Sequence, residues 1–339
     1  MKQQIYLAGF VTLLIILINF EAKSQDIHYS QFYNSPLNIN PALTGIFKGD
    51  VRAIGSLRDQ WRSVPVPYTT FSGSYDMKYL PKKSDKYFYG IGGIFNYDQA
   101  GDSKLNLTDL NLSGSYNYLI NPSNVLSAGL MLGVASEGFN ENDLTWQNQW
   151  DGFKFDPGLG AGENFPTQRW TYLETGVGAN YRYQSDSSRT FVNLGAGLFH
   201  LTQPAAKVID LGDPRLPMRT ALNAQANIQL TNAFDVQAHA IAQFQGPYSE
   251  IVLGGLLKLY VNQNKGKLFR IDLGASYRTS GYIAPTIAFQ YNQIYVGASY
   301  DVNLGEFNQI YSSRGGPEVH VRYIITKVKS FNQKPCPIY

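Results

Sequence analysis

Leu110-Asn111-Leu112-Ser113-Gly114-Ser115-Tyr116-Asn117-Tyr118-Leu119-Ile120 decides the fold. Leu110, Leu112, Gly114, Tyr116, Tyr118 and Ile120 alternate with Asn111, Ser113, Ser115 and Asn117, the period of two that marks a strand with one apolar and one polar face. The pattern recurs in Ile271, Leu273, Ala275 and Tyr277, in Val296, Ala298, Tyr300, Val302 and Leu304, and in Val319, Val321, Tyr323 and Ile325. Counting such segments gives about fourteen strands, beginning near Val51, Thr69, Tyr87, Thr108, Val125, Trp170, Thr190, Arg219, Phe234, Ser249, Phe269, Tyr282, Ile294 and Glu318.

These segments are longer than the five or six residues usual in a soluble strand, and long enough to cross hydrocarbon at a tilt. Aromatic residues gather at their apolar ends, as in Tyr87-Phe88-Tyr89, Tyr116 with Tyr118, and Tyr181 with Tyr183, where a bilayer interface favours them. The connections alternate in length. Asn121 to Asn124, Ser185 to Ser188, Thr231-Asn232, Gln263 to Gly266 and Asn292-Gln293 are tight; Gln60 to Tyr68, Phe139 to Arg169, Leu201 to Pro217 and Gly305 to Gly316 are long. Gly246-Pro247 and Thr279 to Gly281 are short connections on the long-loop side. Short periplasmic turns and longer external loops are the habit of outer-membrane barrels, so the expected fold is an all-β, antiparallel, up-and-down transmembrane barrel over 51–327 with both termini periplasmic. The 24 Tyr, 19 Phe and 32 Gly, with only 16% charged residues, suit that architecture. After the first residues, no apolar run is long enough for a membrane helix.

Lys2, the apolar run from Ile5 to Phe20 and the small-x-small Ala22-Lys23-Ser24 predict a signal peptide over 1–24, with a mature chain from Gln25. Cleavage removes Lys2, Lys23 and Glu21 and takes the formal charge from +3 to +2. A near-neutral chain without a basic cluster is not expected to bind nucleic acid. Cys336, the only cysteine, stands in a tail expected over 328–339 and can form neither an internal disulfide nor a zinc site by itself.

Little in the chain suggests chemistry. His28, His200, His239 and His320 show no helical metal spacing, so neither a metal nor a cofactor is expected. His28 and Ser30 place an imidazole near a hydroxyl, but no third group is evident in sequence and no catalytic residue is assigned. Gly90-Ile91-Gly92-Gly93 and Gly195-Ala196-Gly197 lack the full spacing and the helix of a nucleotide fingerprint. The loop from Phe139 to Arg169 is too aromatic for disorder; Trp146, Trp150, Phe153, Phe155 and Phe165 suit either a protein-binding surface or a lid folded into the lumen. A solute channel would be lined by Asn111, Asn180, Arg182, Asp272, Arg278, Asp301 and Arg322 on the polar strand faces.

The stretch from Gln25 to Gly45, QDIHYSQFYNSPLNINPALTG, closely resembles the opening of the PorP/SprF family. Arg52, Arg58-Asp59-Gln60-Trp61 and Phe71-Ser72-Gly73-Ser74-Tyr75-Asp76 follow as in that family. Asp156-Pro157, Gly162-Glu163, and Gly316-Pro317-Glu318 through Arg322-Tyr323 to Cys336-Pro337 are similar too. The resemblance implies an outer-membrane component of the type IX secretion system, whose members serve the periplasmic secretion and gliding machinery or the surface attachment of large secreted adhesins through their C-terminal domains. Its expected partners are that machinery or an adhesin's C-terminal domain, together with outer-membrane lipid. Trp61, Trp146, Trp150, Phe153, Phe155, Asp156, Glu163 and Phe165 are the candidate partner-binding residues. The segment 25–50 and the tail 328–339 are expected to be periplasmic. The stretch from Gln25 to Gly45, including His28, Tyr29, Gln31, Phe32, Asn38 and Pro41, and the tail after Lys327 are expected either to serve periplasmic partners or to plug the barrel.

Overall fold

In the computed structural model the described residues are 26–60, 68–82, 84–101, 104–140, 144–160, 162, 167–205, 215–264, 266–304 and 315–326. The signal peptide expected over 1–24, Trp61, Glu163, Phe165 and the tail with Cys336 lie outside them. Fourteen antiparallel strands form one closed sheet: β1 Val51–Gln60, β2 Tyr68–Tyr79, β3 Tyr87–Ala100, β4 Leu105–Asn121, β5 Asn124–Gly138, β6 Arg169–Gln184, β7 Phe191–Phe199, β8 Arg219–Gln229, β9 Phe234–Gln245, β10 Tyr248–Asn262, β11 Phe269–Arg278, β12 Tyr282–Tyr291, β13 Ile294–Tyr300 resumed at Val302–Asn303, and β14 Pro317–Ile325. Each strand pairs with its neighbours in sequence, and β14 returns to β1 through Ala53↔Tyr323 and Leu57↔Val319. The expected starts fall within three residues of the observed ones. β13 breaks at Asp301 beside Pro285 of β12, a residue without an N–H to give the ladder.

Side-chain distribution is inverted relative to a soluble protein. Leu112 is 70% exposed and Leu130 65%, whereas Asn111, Ser113, Ser115 and Asn117 are buried. An apolar outward face of this kind suits hydrocarbon, and closure leaves no strand edge of the sheet unpaired. Six connections, β2–β3 through β12–β13, lie at one end, here the turn end; the long ones lie at the other, the loop end. Besides the two short loop-end connections anticipated from sequence, the β3–β4 connection is also short.

The lumen is occupied by the chain's own start. From Asp26 near the loop end, residues 26–50 descend through the barrel to the turn end, where Asp50 N–H bonds to Ile325 O at 2.9 Å and β1 begins. Three single helical turns shape the segment: Phe32–Asn34, Pro36–Ile39 and Pro41–Leu43. Pro36 and Pro41 each open a turn, where proline's missing N–H costs nothing. The Asn40 side chain caps the third by accepting from Ala42 N–H at 2.9 Å. Phe32, Ile39, Leu43 and Ile46 bury against Phe88, Leu119, Val125, Ile241 and Val252 of the wall, so the only sizeable apolar core described lies inside the barrel. Residues 26–50, expected as a periplasmic segment, sit within the lumen, the alternative placement given to the stretch from Gln25 to Gly45, because their apolar side chains and backbone amides find partners on the inner wall. Several wall glycines let it approach closely: a Cβ at Gly197 would stand 2.5 Å from Ile39 O, and one at Gly129 would collide with Ala42 N.

Leu112→Arg, though it alters one of the most exposed side chains, is expected to destabilise the barrel by about 2–4 kcal/mol, because mid-strand it must enter hydrocarbon. Equilibrium unfolding in phospholipid vesicles measures this, and an unchanged midpoint contradicts the orientation.

Candidate functional site: the sealed lumen and the loop-end surface

Three polar clamps hold the plug. In the first, Glu318 on β14 accepts both Ser30 N–H at 2.8 Å and Gln31 N–H at 2.7 Å, and Ser30 Oγ donates to Asp301 Oδ1 at 2.7 Å. Arg58 donates to His28 O and to Asp301 Oδ2, each at 2.6 Å, and Arg278 reaches Ser30 Oγ at 2.8 Å while pairing with Glu250 at 3.0 Å. All these wall charges are buried. A charge in such a place is tolerable only with its partners in position, and the plug backbone is one of the partners.

In the second clamp, nearer the turn end, Arg52 forks onto Asp76 at 2.9 and 2.8 Å and gives a further bond to Leu43 O at 3.2 Å. Asp76 also accepts Gly45 N–H at 2.8 Å. Gly45 has φ +73°, and its space is closed by Gly90, so no larger residue fits there. The Arg52 guanidinium stacks over Phe47, and Lys78 Nζ bonds to Phe47 O. Neutral contacts fill the interval: Tyr29 with Ser72, Asn38 with Asn96, Asn40 with Asn223 and Ala179 O, and Thr44 with Ser113 and Ser115.

The third clamp holds the upper end. Asp26 lies 2.6 Å from His200 Nε2 and 2.9 Å from Arg219 Nε, while His200 Nδ1 lies 2.7 Å from Glu174. Burial alone pulls the His200 pKa down, but Asp26 and Glu174 outweigh it and hold it up at about 10. Burial likewise opposes ionisation of Asp26, yet His200 and Arg219 keep its pKa below the usual carboxylate range.

His28, Tyr29, Gln31, Phe32, Asn38 and Pro41 thus all line one structure, the plug. Of the residues expected on a channel wall, Arg278 and Asp301 bond to Ser30 and Arg322 bonds to Asn34 at 3.2 Å. Gln31, Asn34, Asn40 and Thr44 of the plug and Asn117, Asp235, Glu318 and His320 of the wall are 0% exposed, so plug and wall are packed against each other along this stretch. His28 and Ser30 are not bonded to each other: His28 Nδ1 is 3.0 Å from Asp26 O, and Ser30 Oγ is taken by Asp301 and Arg278. A hydroxyl, imidazole and carboxylate do line up elsewhere. Ser56 Oγ is 2.7 Å from His320 Nδ1, and His320 Nε2 is 2.8 Å from Glu318 Oε1. This trio is sealed from solvent and its carboxylate carries the plug backbone, so it braces the first clamp. Only the spacing of Glu318 and His320 on the polar face of the last strand hinted at it.

The aromatic loop is separate from the plug. Gln147–Gln149 forms a single turn, Trp150 bridges to Phe155, and Asp151 Oδ1 accepts from Phe153 N–H and Lys154 N–H, each at 2.8 Å. Asp156 Oδ1 caps Gly158 N–H at 2.8 Å. This small self-bonded hairpin presents Phe153 with 94% of its surface exposed, beside exposed Trp150 and Phe155 and half-buried Trp146. These side chains are not packed into the lumen.

A closed antiparallel sheet with an apolar exterior and polar interior is a transmembrane β-barrel of the outer-membrane class. The family model for type IX secretion system membrane protein PorP/SprF matches residues 21–323, and the chain belongs to that family. No curated relative matches the chain. Among solved structures it is similar to the toluene transporter TbuX of Ralstonia pickettii, at 13% identity over 84% of this chain and 91% of that one with a TM-score of 0.48. It is also similar to the monoaromatic hydrocarbon channel CymD, at 13% identity over 87% and 93% with a TM-score of 0.46. A FadL homologue of Pseudomonas aeruginosa gives 12% identity over 84% and 92% with a TM-score of 0.43. These likenesses are loose and nothing about function follows from them.

Glu318→Gln should lower stability by about 3–5 kcal/mol, since it strips a buried countercharge from Arg58 and His320; guanidinium unfolding in detergent reads this. The upper clamp carries a pH signature. Because the folded pKa of His200 lies above the ordinary 6.5, its stabilisation is full below 6.5 and is lost as pH rises through about 10. The wild type should therefore lose more stability than His200→Asn between pH 8 and pH 11, and parallel profiles contradict the clamp.

Proposed function

We propose that this protein is a sealed, non-enzymatic anchor of the type IX secretion pathway, holding the secretion and gliding machinery or a secreted adhesin at the outer membrane. The observation that carries the proposal is the filled lumen. A strand-lined pore meant for solutes leaves its lining wet, whereas here the plug is hydrogen-bonded to β1, β2, β3, β4, β6, β8, β11, β13 and β14. What remains for contact is the rim. The turns face the periplasm, signal-peptide cleavage frees the mature start, and the hairpin at Trp150 to Phe155 faces outward, where rigid exposed aromatics are the usual anchors of a protein interface. Trp146 and Asp156 support that hairpin; Trp61, Glu163 and Phe165, which lie outside the described residues, are assigned to the same partner on the likeness of their sequence alone.

Two linked measurements test the proposal. The mature protein in planar bilayers should be electrically silent, and removing residues 26–47 should open a steady conductance; an open wild-type pore favours a porin-like channel instead. Cells carrying a deletion of 139–168 should insert the barrel normally yet lose co-isolation of its secretion partners, and retention of those partners would overturn the role given to the loop.

A further inference from the structure

Two clefts lie at the loop end on either side of Asp26, one toward β9 and β10 and the other toward β4, β5 and β6, and both have Asp26 and Arg219 in their walls. The larger, beside β4 to β6, encloses about 410 Å³ with its mouth included. Strand register explains why space remains there. At this height the lumen face of β5 offers only Gly133 and Ala135, with Asn111 and Asp109 of β4 on one side and Glu174 and Tyr172 of β6 on the other. Two strand spacings, about 10 Å, thus separate those pairs with almost no side chain between them. β5 and β6 are also the strands joined by the loop that carries the aromatic hairpin.

The walls of this cleft suit one kind of group. Toward the mouth they are apolar and half-buried, formed by Ile27 of the plug, Leu107 and the Tyr172 ring. Deeper down they carry acceptors. Asp109 takes amide hydrogens from Asn96 at 3.0 Å and from Asn111 at 2.6 Å, and it pairs with no cation among the described residues. Asn111 is 3% exposed and its Oδ1 has no partner; that oxygen stands in the notch left by Gly133, where an added Cβ would collide with it. The two cations on the rim are already committed, His200 to Asp26 and Glu174, and Arg219 to Asp26. A buried carboxylate without a countercharge is costly, and an amide oxygen without a donor adds to the cost. What the cleft lacks is a positively charged donor on an apolar stem.

We propose that the cleft receives a lysine side chain of the partner held at the loop end, an inference that rests on the anchoring role given above. The four-carbon stem lies along Ile27, Leu107 and Tyr172, and the ammonium donates to Asp109 and to Asn111 Oδ1. Lysine fits better than arginine, because Asn96 and Asn111 already take both oxygens of Asp109 and leave no free edge for a planar fork. The start of the plug is then a wall of the recognition site as well as part of the stopper.

The probe is butylammonium chloride, which carries the lysine stem and head, titrated against the full mature chain in detergent; tetramethylammonium chloride at equal ionic strength is the control. A saturable rise of about 2–4 °C in the unfolding temperature is expected with the first and none with the second. Asp109→Asn should abolish the rise by removing the charge, and Ala135→Leu by filling the cleft. A flat wild-type titration, or an equal rise with tetramethylammonium or in a folded variant, means that water fills the cleft and overturns the proposal. The two wild-type titrations decide the matter should neither variant fold. In cells, Ala135→Leu should insert normally yet lose co-isolation of the secretion partners, as the deletion of 139–168 does. Loss with the deletion alone overturns the lysine site and leaves the anchor standing, whereas retention in both overturns the anchor as well.

Discussion

A sheet placed in hydrocarbon must satisfy every backbone N–H and C=O internally, and closing into a ring is the way strands do so. Everything else in this molecule answers that constraint. Closure gives the apolar face to lipid, which turns the other face into a polar interior with no water to spare. Asp76, Asp235, Asp272, Asp301, Glu318 and the arginines around them must therefore find partners among themselves or in whatever fills the ring. Residues 26–50 fill it, and they do so with backbone amides and carbonyls as much as with side chains.

This explains which parts were legible from the amino-acid order and which were not. Period-two alternation is a local property, imposed by the pleat, and it located Leu110 to Ile120 and thirteen further strands to within a turn of the chain. The plug has no period. Pro36, Pro41 and the Asn40 cap mark its turns locally, but the groups that hold it in place lie far along the chain, as Glu318 does for Ser30 and Ser299 for Gln31, so its seat in the lumen is not written nearby. Arg52, Arg58 and Asp76 stood out only through likeness to a family, and the structure supplies the physical reason they belong with 25–45: they are its socket. The Asp151-Gly152 turn of the aromatic loop sits between these cases, because its side-chain caps are local and readable while the surface it presents is not.

The interior is also polarised along its axis. Asp98, Asp109, Glu137 and Glu174 stand on the lumen face toward the loop end, whereas Arg182, Lys258, Arg270 and Arg322 stand toward the turn end. The plug crosses this gradient. Its most ionic contacts, Asp26 with Arg219 and His200, lie at its far end, and its apolar middle rests on Phe88, Leu119 and Val125.

Glu318 belongs to the last strand and grips Ser30 and Gln31, at the beginning of the described chain, while the same strand zips to β1. One side chain therefore fastens the stopper to the same strand that forms the seam of the cylinder, so a change at Glu318 strikes the fit of the stopper and the neighbourhood of the seam together.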